Sequence, residues 1–242
     1  MINNIYSFYT ELPFNISSEE NLLKTRKNLI PWTQLDHAIA NCNSVCEVGC
    51  GNGWLTHRIA NKYPNKKLTA IDFVEKNIKL ANIDNTTINF KCENFLDFKE
   101  KADCLISIGV LHHIPELSLT DLIIKAINLS NKYTFLGLYH SSRSDLFEYF
   151  EQVPETNRFR LFKKMNPHIV DSTQIESWFR DQFYNPYETT ISVLELKDIA
   201  KTLKVTIKYI SFEHDDRYAN VIKQLNSFEF TSCMIYIMFE KK

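Results

Sequence analysis

The sequence predicts an α/β fold built on a largely parallel sheet. Apolar strand-like runs alternate with helix-like runs from residue 44 to 139, and three of only five glycines gather at 49, 51 and 53, where a strand hands over to a helix. Of the 242 residues, 44% are hydrophobic, enough to bury a sizeable core, which excludes disordered and collagen-like classes. Such alternation is satisfied by parallel strands joined through right-handed crossovers. The length suits one domain over 1–242: N-terminal helices at 1–43, the alternating half at 44–139, an insertion at 140–190 and a closing part at 191–242.

In chain order, Ser17-Ser18-Glu19-Glu20 offers a helix cap with acids in its first turn, and Pro31 starts a helix running to about Ala40. Strands are predicted near 44–48, 67–71, 86–91, 103–108 and 133–139, with helices near 53–63, 75–82 and 118–130. Residues 143–190 break the alternation. Ten aromatics (Phe147, Tyr149, Phe150, Phe159, Phe162, Trp178, Phe179, Phe183, Tyr184, Tyr187) make this stretch about one-fifth aromatic, against 13% for the whole chain, so it reads as packed helices rather than a linker. Val193 to Leu203 follows as a helix, and Val205 to Ser211 and Ser232 to Phe239 as two strands. The apolar run from Cys233 to Phe239 is far shorter than the ~20 residues that span a bilayer.

Twenty-eight Lys and Arg stand against 29 Asp and Glu, a net charge of −1, so no global field draws in nucleic acid or an anionic membrane. The local basic group Arg158, Arg160, Lys163 and Lys164 sits among Glu148, Glu151 and Glu155, as a solvated helix face does. The opening MINNIYSFYTELPFN has neither the basic start nor the apolar run of a secretory signal. Together with six cysteines this leads to the expectation of a cytoplasmic protein with reduced thiols. Cys42, Cys46 and Cys50 recur every fourth residue, but along a strand that spacing spans about 13 Å, too far to share one cluster. No metal is expected, and oligomeric state is left open.

The glycine cluster admits few ligands. A dinucleotide fingerprint requires glycine where Trp54 stands. A phosphate loop requires Gly-Lys-Ser or Gly-Lys-Thr, which does not follow. What remains is Glu47-Val48-Gly49-Cys50-Gly51-Asn52-Gly53, an acid near the strand end and three alternating glycines. Here the chain resembles the class I S-adenosylmethionine-dependent methyltransferases, whose first motif these residues match throughout.

Further stretches match in order. Lys67 to Asp72 is a second strand ending in an acid 19 residues past Gly53. Ile88 to Asn94 is a third strand followed by Glu93. Ala102 to Pro115 is similar to the fourth-strand motif of small-molecule members, including the ubiquinone-biosynthesis type. The resemblance implies a Rossmann-like three-layer αβα sandwich with a seven-stranded, mostly parallel sheet whose last strand is antiparallel. It implies S-adenosyl-L-methionine as cofactor and S-adenosyl-L-homocysteine as product. Cofactor contacts are expected from Glu47 near the methionine end, Gly49, Gly51 and Gly53 in the loop, Asp72 with Phe73 at the ribose, Glu93 with Asn94 at the adenine, and Gly109. Asp72 also suits a helix cap, and Asp97 lies close enough to compete with Glu93.

A hydroxyl or ammonium acceptor needs a base, and histidine suits neutral pH. The candidates are His113, past the fourth strand, and His140, at the end of the fifth. His112 and His113 are adjacent, so at most one is expected to face a site. The insertion is expected to supply the acceptor pocket, with Arg180, Asp181 and Tyr184 as polar groups and Trp178 as a wall beside Phe183. The N-terminal helices around Tyr6, Tyr9 and Trp32 are the other place to look. The fourth-strand motif is Ser107-Ile108-Gly109-Val110 rather than the Pro-Pro-aromatic loop of nucleobase amino methyltransferases, so the expected acceptor is a small molecule. A macromolecular acceptor and a non-catalytic subunit remain as alternatives.

Overall fold

The computed structural model describes residues 5–11, 30–83, 87–141, 152–165, 175–176, 179–180, 184–185, 187–212 and 234–242. Its elements run α1 (Ile5–Glu11), α2 (Trp32–Ala40), β1 (Ser44–Val48), α3 (Trp54–Lys62), β2 (Lys67–Asp72), α4 (Glu75–Ala81), β3 (Asn89–Cys92), β4 (Ala102–Ile108), a 3₁₀ turn (Leu111–His113), α5 (Leu119–Leu129), β5 (Ser130–Tyr139), α6 (Glu155–Met165), α7 (Val193–Leu203), β6 (Thr206–Phe212) and β7 (Met234–Glu240). The proposed cap at 17–20 lies outside the described residues.

The seven strands form one sheet in the order β3-β2-β1-β4-β5-β7-β6. Strands β1 to β5 pair in parallel, and β7 runs antiparallel between β5 and β6. This is the expected sheet with its reversed last strand. The order turns back at β1, so β1 and β4 are neighbours from which the chain winds outward in both directions. In open α/β sheets the crevice beyond the carboxyl ends at such a point is where ligands bind.

Strand alternation sorts the core into two layers. Cys46, Val48, Leu105, Leu136, Leu138, Ile235 and Ile237 pack with Leu122, Ile123 and Ala126 of α5 and Leu196 and Ile199 of α7. Val45, Cys104, Ile106, Phe135 and Tyr236 pack on the other face with Leu35 and Ile39 of α2 and Leu55 and Ile59 of α3. Successive strand residues face opposite sides, so continuous apolar strands are what a sheet covered on both faces demands. The helices start on local signals: Ser118 Oγ accepts the Asp121 N–H at 3.1 Å ahead of α5, and Ser192 with Glu195 forms a capping box ahead of α7. Among the described residues no helix is long and apolar enough to cross a membrane.

Strand β5 begins at Ser130, three residues before its apolar run, because Ser130 pairs with Ala102 across a register shift. Strand β3 begins at Asn89 rather than 86, and residues 84–86 lie outside the described set.

Candidate active site

The turn after β1 is held by β2. Gly49 and Cys50 donate their N–H groups to the Ile71 carbonyl at 2.8 and 3.0 Å. Gly51 donates to Asp72 Oδ2 at 2.9 Å. Gly49 has φ of 74°, and a Cβ there would overlap the side chain of Val110. Its missing side chain is therefore explained by the close approach of the β4 end as well as by the turn.

Asp72 is buried. Its Oδ1 accepts from Val74 N at 2.8 Å and Asn77 Nδ2 at 3.4 Å, so one carboxylate ties the glycine turn to the start of α4. Burial pushes its carboxyl up, against the pull of the Val74, Gly51 and Asn77 donors. Both the cap and the strand-end reading of Asp72 thus have a geometric counterpart, since two oxygens offer about four acceptor positions.

Glu47 lies on the α3 face of β1 and accepts a hydrogen bond from Thr56 Oγ1 of α3. Burial pushes its carboxyl up to about 8, opposed by the Thr56 hydroxyl and reinforced by the charge of Asp72. In this geometry Glu47 braces the loop from beneath.

Phe73, Glu93 and Asn94 follow at the ends of β2 and β3, all half-buried. The Glu93 N–H donates to the Asp72 carbonyl at 3.0 Å, which brings these two strand ends together. Asn94 turns its Oδ1 to the Leu96 N–H at 3.0 Å, organising its own turn. Gly109, with φ of 73°, donates to the Gly137 carbonyl at 3.0 Å. Among the described residues, a Cβ built on it meets nothing within 4 Å, so the space in front of the β4 end, beside the glycine turn, is open among them.

Past that end the two histidines part. His112 is buried and stacks on Tyr139, centroids 3.8 Å apart, and its Nδ1 accepts the Tyr139 N–H at 3.3 Å. His113, also buried, meets Tyr9 of α1 edge-on at 5.9 Å. Its Nδ1 lies 3.0 Å from Asn185 Nδ2 and 3.2 Å from the Tyr187 carbonyl oxygen. Asn185 Nδ2 also reaches Tyr9 Oη at 3.0 Å, and Tyr9 meets Phe73 at 6.4 Å. His140 is half-buried and bridged to Ile191. Alternation along β5 turns it to the face opposite Tyr139, and burial holds its imidazole below the ordinary range. The structure thus joins His113 to the N-terminal helix and to Asn185 and Tyr187 of the insertion.

A pocket of ≈ 600 Å³ opens between α1 and the insertion, lined by Phe8, Phe159, Glu176, Phe179, Arg180 and Tyr184. Phe179 is its hub, with ring contacts to Phe159 at 5.0 Å, Phe162 at 5.5 Å and Tyr184 at 5.8 Å. Tyr184 donates to Glu155 of α6 at 3.2 Å. Arg180 and Tyr184, two of the expected acceptor contacts, thus line this pocket, and Trp178, Asp181 and Phe183 lie outside the described residues. Phe8 and Asn185 carry no sequence signal of a site. Only the fold brings them there, Asn185 lying 176 positions from Tyr9.

The arrangement defines a class: an open, doubly wound sheet with acids at successive strand ends and a glycine turn facing open space suits a nucleoside-bearing ligand, which the carboxylates can hold through hydroxyl and amino groups. A family model described as a methyltransferase domain matches residues 40–190. Malonyl-[acyl-carrier protein] O-methyltransferase of Bacillus cytotoxicus is 24% identical over 162 residues, which cover 64% of this chain and 56% of that protein. The chain thus spans little more than half the length of that curated relative. Among solved structures, magnesium protoporphyrin IX methyltransferase of Synechocystis PCC 6803 with bound S-adenosylmethionine superposes with a TM-score of 0.56 at 12% identity, covering 98% of this chain and 91% of that one. The plantazolicin methyltransferase BpumL, in complex with a monoazolic desmethylPZN analogue and S-adenosylhomocysteine, gives a TM-score of 0.57 at 13% identity over 99% and 95% of the two chains. The chain belongs to the class I S-adenosylmethionine-dependent methyltransferases.

Proposed function

We propose that the protein transfers the methyl group of S-adenosylmethionine to an oxygen or nitrogen atom of a small-molecule acceptor held between α1 and the insertion. The observation that carries this reading is the aromatic pocket, two of whose lining residues are chain neighbours of residues in contact with His113. Phe8 and Tyr184 line the pocket, while their chain neighbours Tyr9 and Asn185 hold His113 at the end of β4. Its volume suits a small ligand, and its mixture of aromatic walls with Arg180, Glu176 and Tyr184 supplies both affinity and orientation.

In this reading Asp72 receives the ribose hydroxyls, Glu93 with Asn94 the adenine, and the glycine turn with Glu47 the methionine end. The bound cofactor supplies a sulfonium-activated methyl group. The protein's task is then to align the acceptor with the methyl–sulfur bond and to exclude water. Tyr9, Tyr139 and Phe73 supply the apolar cover around His113. Cys42, Cys46, Cys50 and Cys104 are free, buried thiols, which supports a reducing, cytoplasmic setting. The relative from Bacillus cytotoxicus, named for an acyl-carrier-protein substrate, favours a second reading in which the acceptor arrives on a carrier.

The test is incubation of the protein with methyl-labelled cofactor and a metabolite extract, read by mass spectrometry. Label in small molecules is the expected result. Label confined to carrier protein selects the second reading, and label confined to RNA or other protein refutes both.

A further inference from the structure

At the amino end of the sheet, opposite the glycine turn, two thiols meet. Three hydrogen bonds lace the turn after α2 to the start of β4. Asp103 Oδ2 accepts the Asn43 and Ser44 N–H groups at 2.9 and 3.2 Å, and Ser44 Oγ accepts the Asp103 N–H at 2.9 Å. One residue further on, Val45 stands opposite Cys104 in the β1–β4 register, so their side chains share a face of the sheet. Cys42 lies just before the laced segment and belongs to the same buried layer as Val45 and Cys104. The Cys104 thiol donates a hydrogen bond to the Cys42 sulfur. Cys46 turns to the opposite layer, and Cys50 and Cys92 sit at the carboxyl ends of their strands.

We propose that Cys42 and Cys104 form a site of reversible oxidation, at which hydrogen peroxide converts the two thiols to a disulfide that staples the end of α2 to β4. The two cysteines are unequal in a way that suits this chemistry. Cys42 keeps 4% of its surface exposed and Cys104 none, so the oxidant meets Cys42 first. Lys66 Nζ reaches the Cys42 carbonyl and, at 3.1 Å, the Ala40 carbonyl, and Lys132 Nζ reaches the Asn41 carbonyl at 3.2 Å. Two cations thus sit on the turn that carries Cys42. The Cys104 hydrogen bond, with the charges of Lys132 and Lys66, holds the Cys42 thiol below its ordinary range against burial and the charge of Asp103. The thiolate is the reactive form. Its sulfur attacks one peroxide oxygen, the O–O bond breaks, Cys42 becomes a sulfenic acid, and the departing hydroxide takes a proton to leave as water. The Cys104 sulfur then attacks the Cys42 sulfur, the S–O bond breaks, and that oxygen leaves as a second water with the Cys104 proton. Two thiols are oxidised to one disulfide and one peroxide is reduced to two waters. A second thiol already in contact diverts the sulfenic acid into a disulfide before it oxidises further.

The test treats the reduced, folded full chain with hydrogen peroxide, blocks remaining thiols with iodoacetamide in urea, and maps the digest by mass spectrometry without reductant. A peptide joining Cys42 to Cys104 is expected, and dithiothreitol should restore both thiols. The bridged protein should unfold at a Tm higher than that of the reduced protein by roughly 5 °C or more, because the bridge restricts the unfolded chain. In Cys104→Ala the resolving thiol is gone, so Cys42 should be trapped by dimedone as a sulfenic acid and the Tm should not rise on treatment. Should that variant not fold, Cys42→Ser asks the same question from the other side, and Cys104 should then pass through the treatment as a thiol. Recovery of both wild-type thiols alkylated while the exposed Cys92 is oxidised overturns the proposal. So does a disulfide that pairs either residue with another cysteine, or a Cys42–Cys104 bridge that forms only in urea. A bridge that leaves the Tm unchanged or lowers it overturns the staple.

Discussion

Replacing Glu47 by Gln removes a carboxyl that the fold keeps from water, and its effect on stability has a defined pH signature. Burial moves this group from its ordinary 4.5 up to about 8. Between those values the unfolded chain has released the proton and the folded chain still holds it, so the wild type loses stability as pH rises. Each unit corresponds to about 1.4 kcal/mol, so the whole interval is worth on the order of 5 kcal/mol. That stability is fully present below 4.5 and gone once pH has passed about 8. Gln carries no titrating proton and can still accept from the Thr56 hydroxyl. Urea unfolding of both proteins without cofactor, at steps from pH 5 to pH 8.5, should show the wild type falling relative to Glu47→Gln by about 1 kcal/mol or more per unit. Parallel profiles would refute the account, since they require a carboxyl that is ionised and solvated in the folded state. With cofactor the proposal adds a second signature: cationic groups of the methionine end beside Glu47 favour its ionised form, so binding at pH 7 should release a proton. Calorimetry in buffers of different ionisation heat measures that release.

Two further substitutions separate the parts of the cofactor half. Asp72→Ala strips the acceptor from the Gly51 and Val74 N–H groups, so about 1 to 3 kcal/mol of stability should be lost. S-adenosylmethionine affinity should fall by a similar free energy, roughly ten-fold or more by titration calorimetry, whereas unchanged affinity would make Asp72 a loop tie alone. Gly51→Val places a branched residue at φ of 53°. It should abolish cofactor binding while circular dichroism stays that of a folded chain, and normal binding would show that the ligand does not lie on this turn.

The strand–helix alternation and the parallel pairing of β1 to β5 were legible because their causes are local. A glycine turn between an apolar strand and a helix, and acids at the ends of the next strands, are statements about neighbours in sequence. Where causes are tertiary the reading fell short. Ser130-Asn131-Lys132 has no strand pattern, yet Ser130 extends β5 because β4 lies alongside and its hydroxyl bonds Ile127 and Thr134. His112 and His113 look equivalent as a pair. Only the stacking of Tyr139 on one, where it meets the other edge-on, and the approach of α1 to the other tell them apart. Asn185 had no distinguishing mark, because its role depends on a helix at the far end of the chain.

The two halves of the site are accordingly built by different means, and this yields a separable prediction. The glycine turn is fixed by its N–H groups donating to the Ile71 carbonyl and the Asp72 carboxylate, both on β2 of the sheet. The pocket is lined by Phe8 of α1, Phe159 of α6 and Glu176, Phe179, Arg180 and Tyr184, and is held by aromatic contacts around Phe179 and by the bond from Tyr184 to Glu155. A change at the pocket wall should therefore alter acceptor turnover and leave the cofactor turn as it was. Tyr184 is largely exposed, so Tyr184→Phe removes a surface hydrogen bond worth about 1 kcal/mol at most while keeping the ring against Phe179. Arg180→Ala removes the cation among the described residues that line the pocket. Both variants are expected to bind S-adenosylmethionine within a few fold of the wild type and, for Arg180→Ala, to lower kcat/KM for an anionic acceptor by ten-fold or more, a loss of about 1.4 kcal/mol in transition-state stabilisation. Equal turnover in Arg180→Ala, or a loss of cofactor affinity to match the loss of turnover, would remove the pocket from the acceptor path and return the search to the surface of α2 around Trp32.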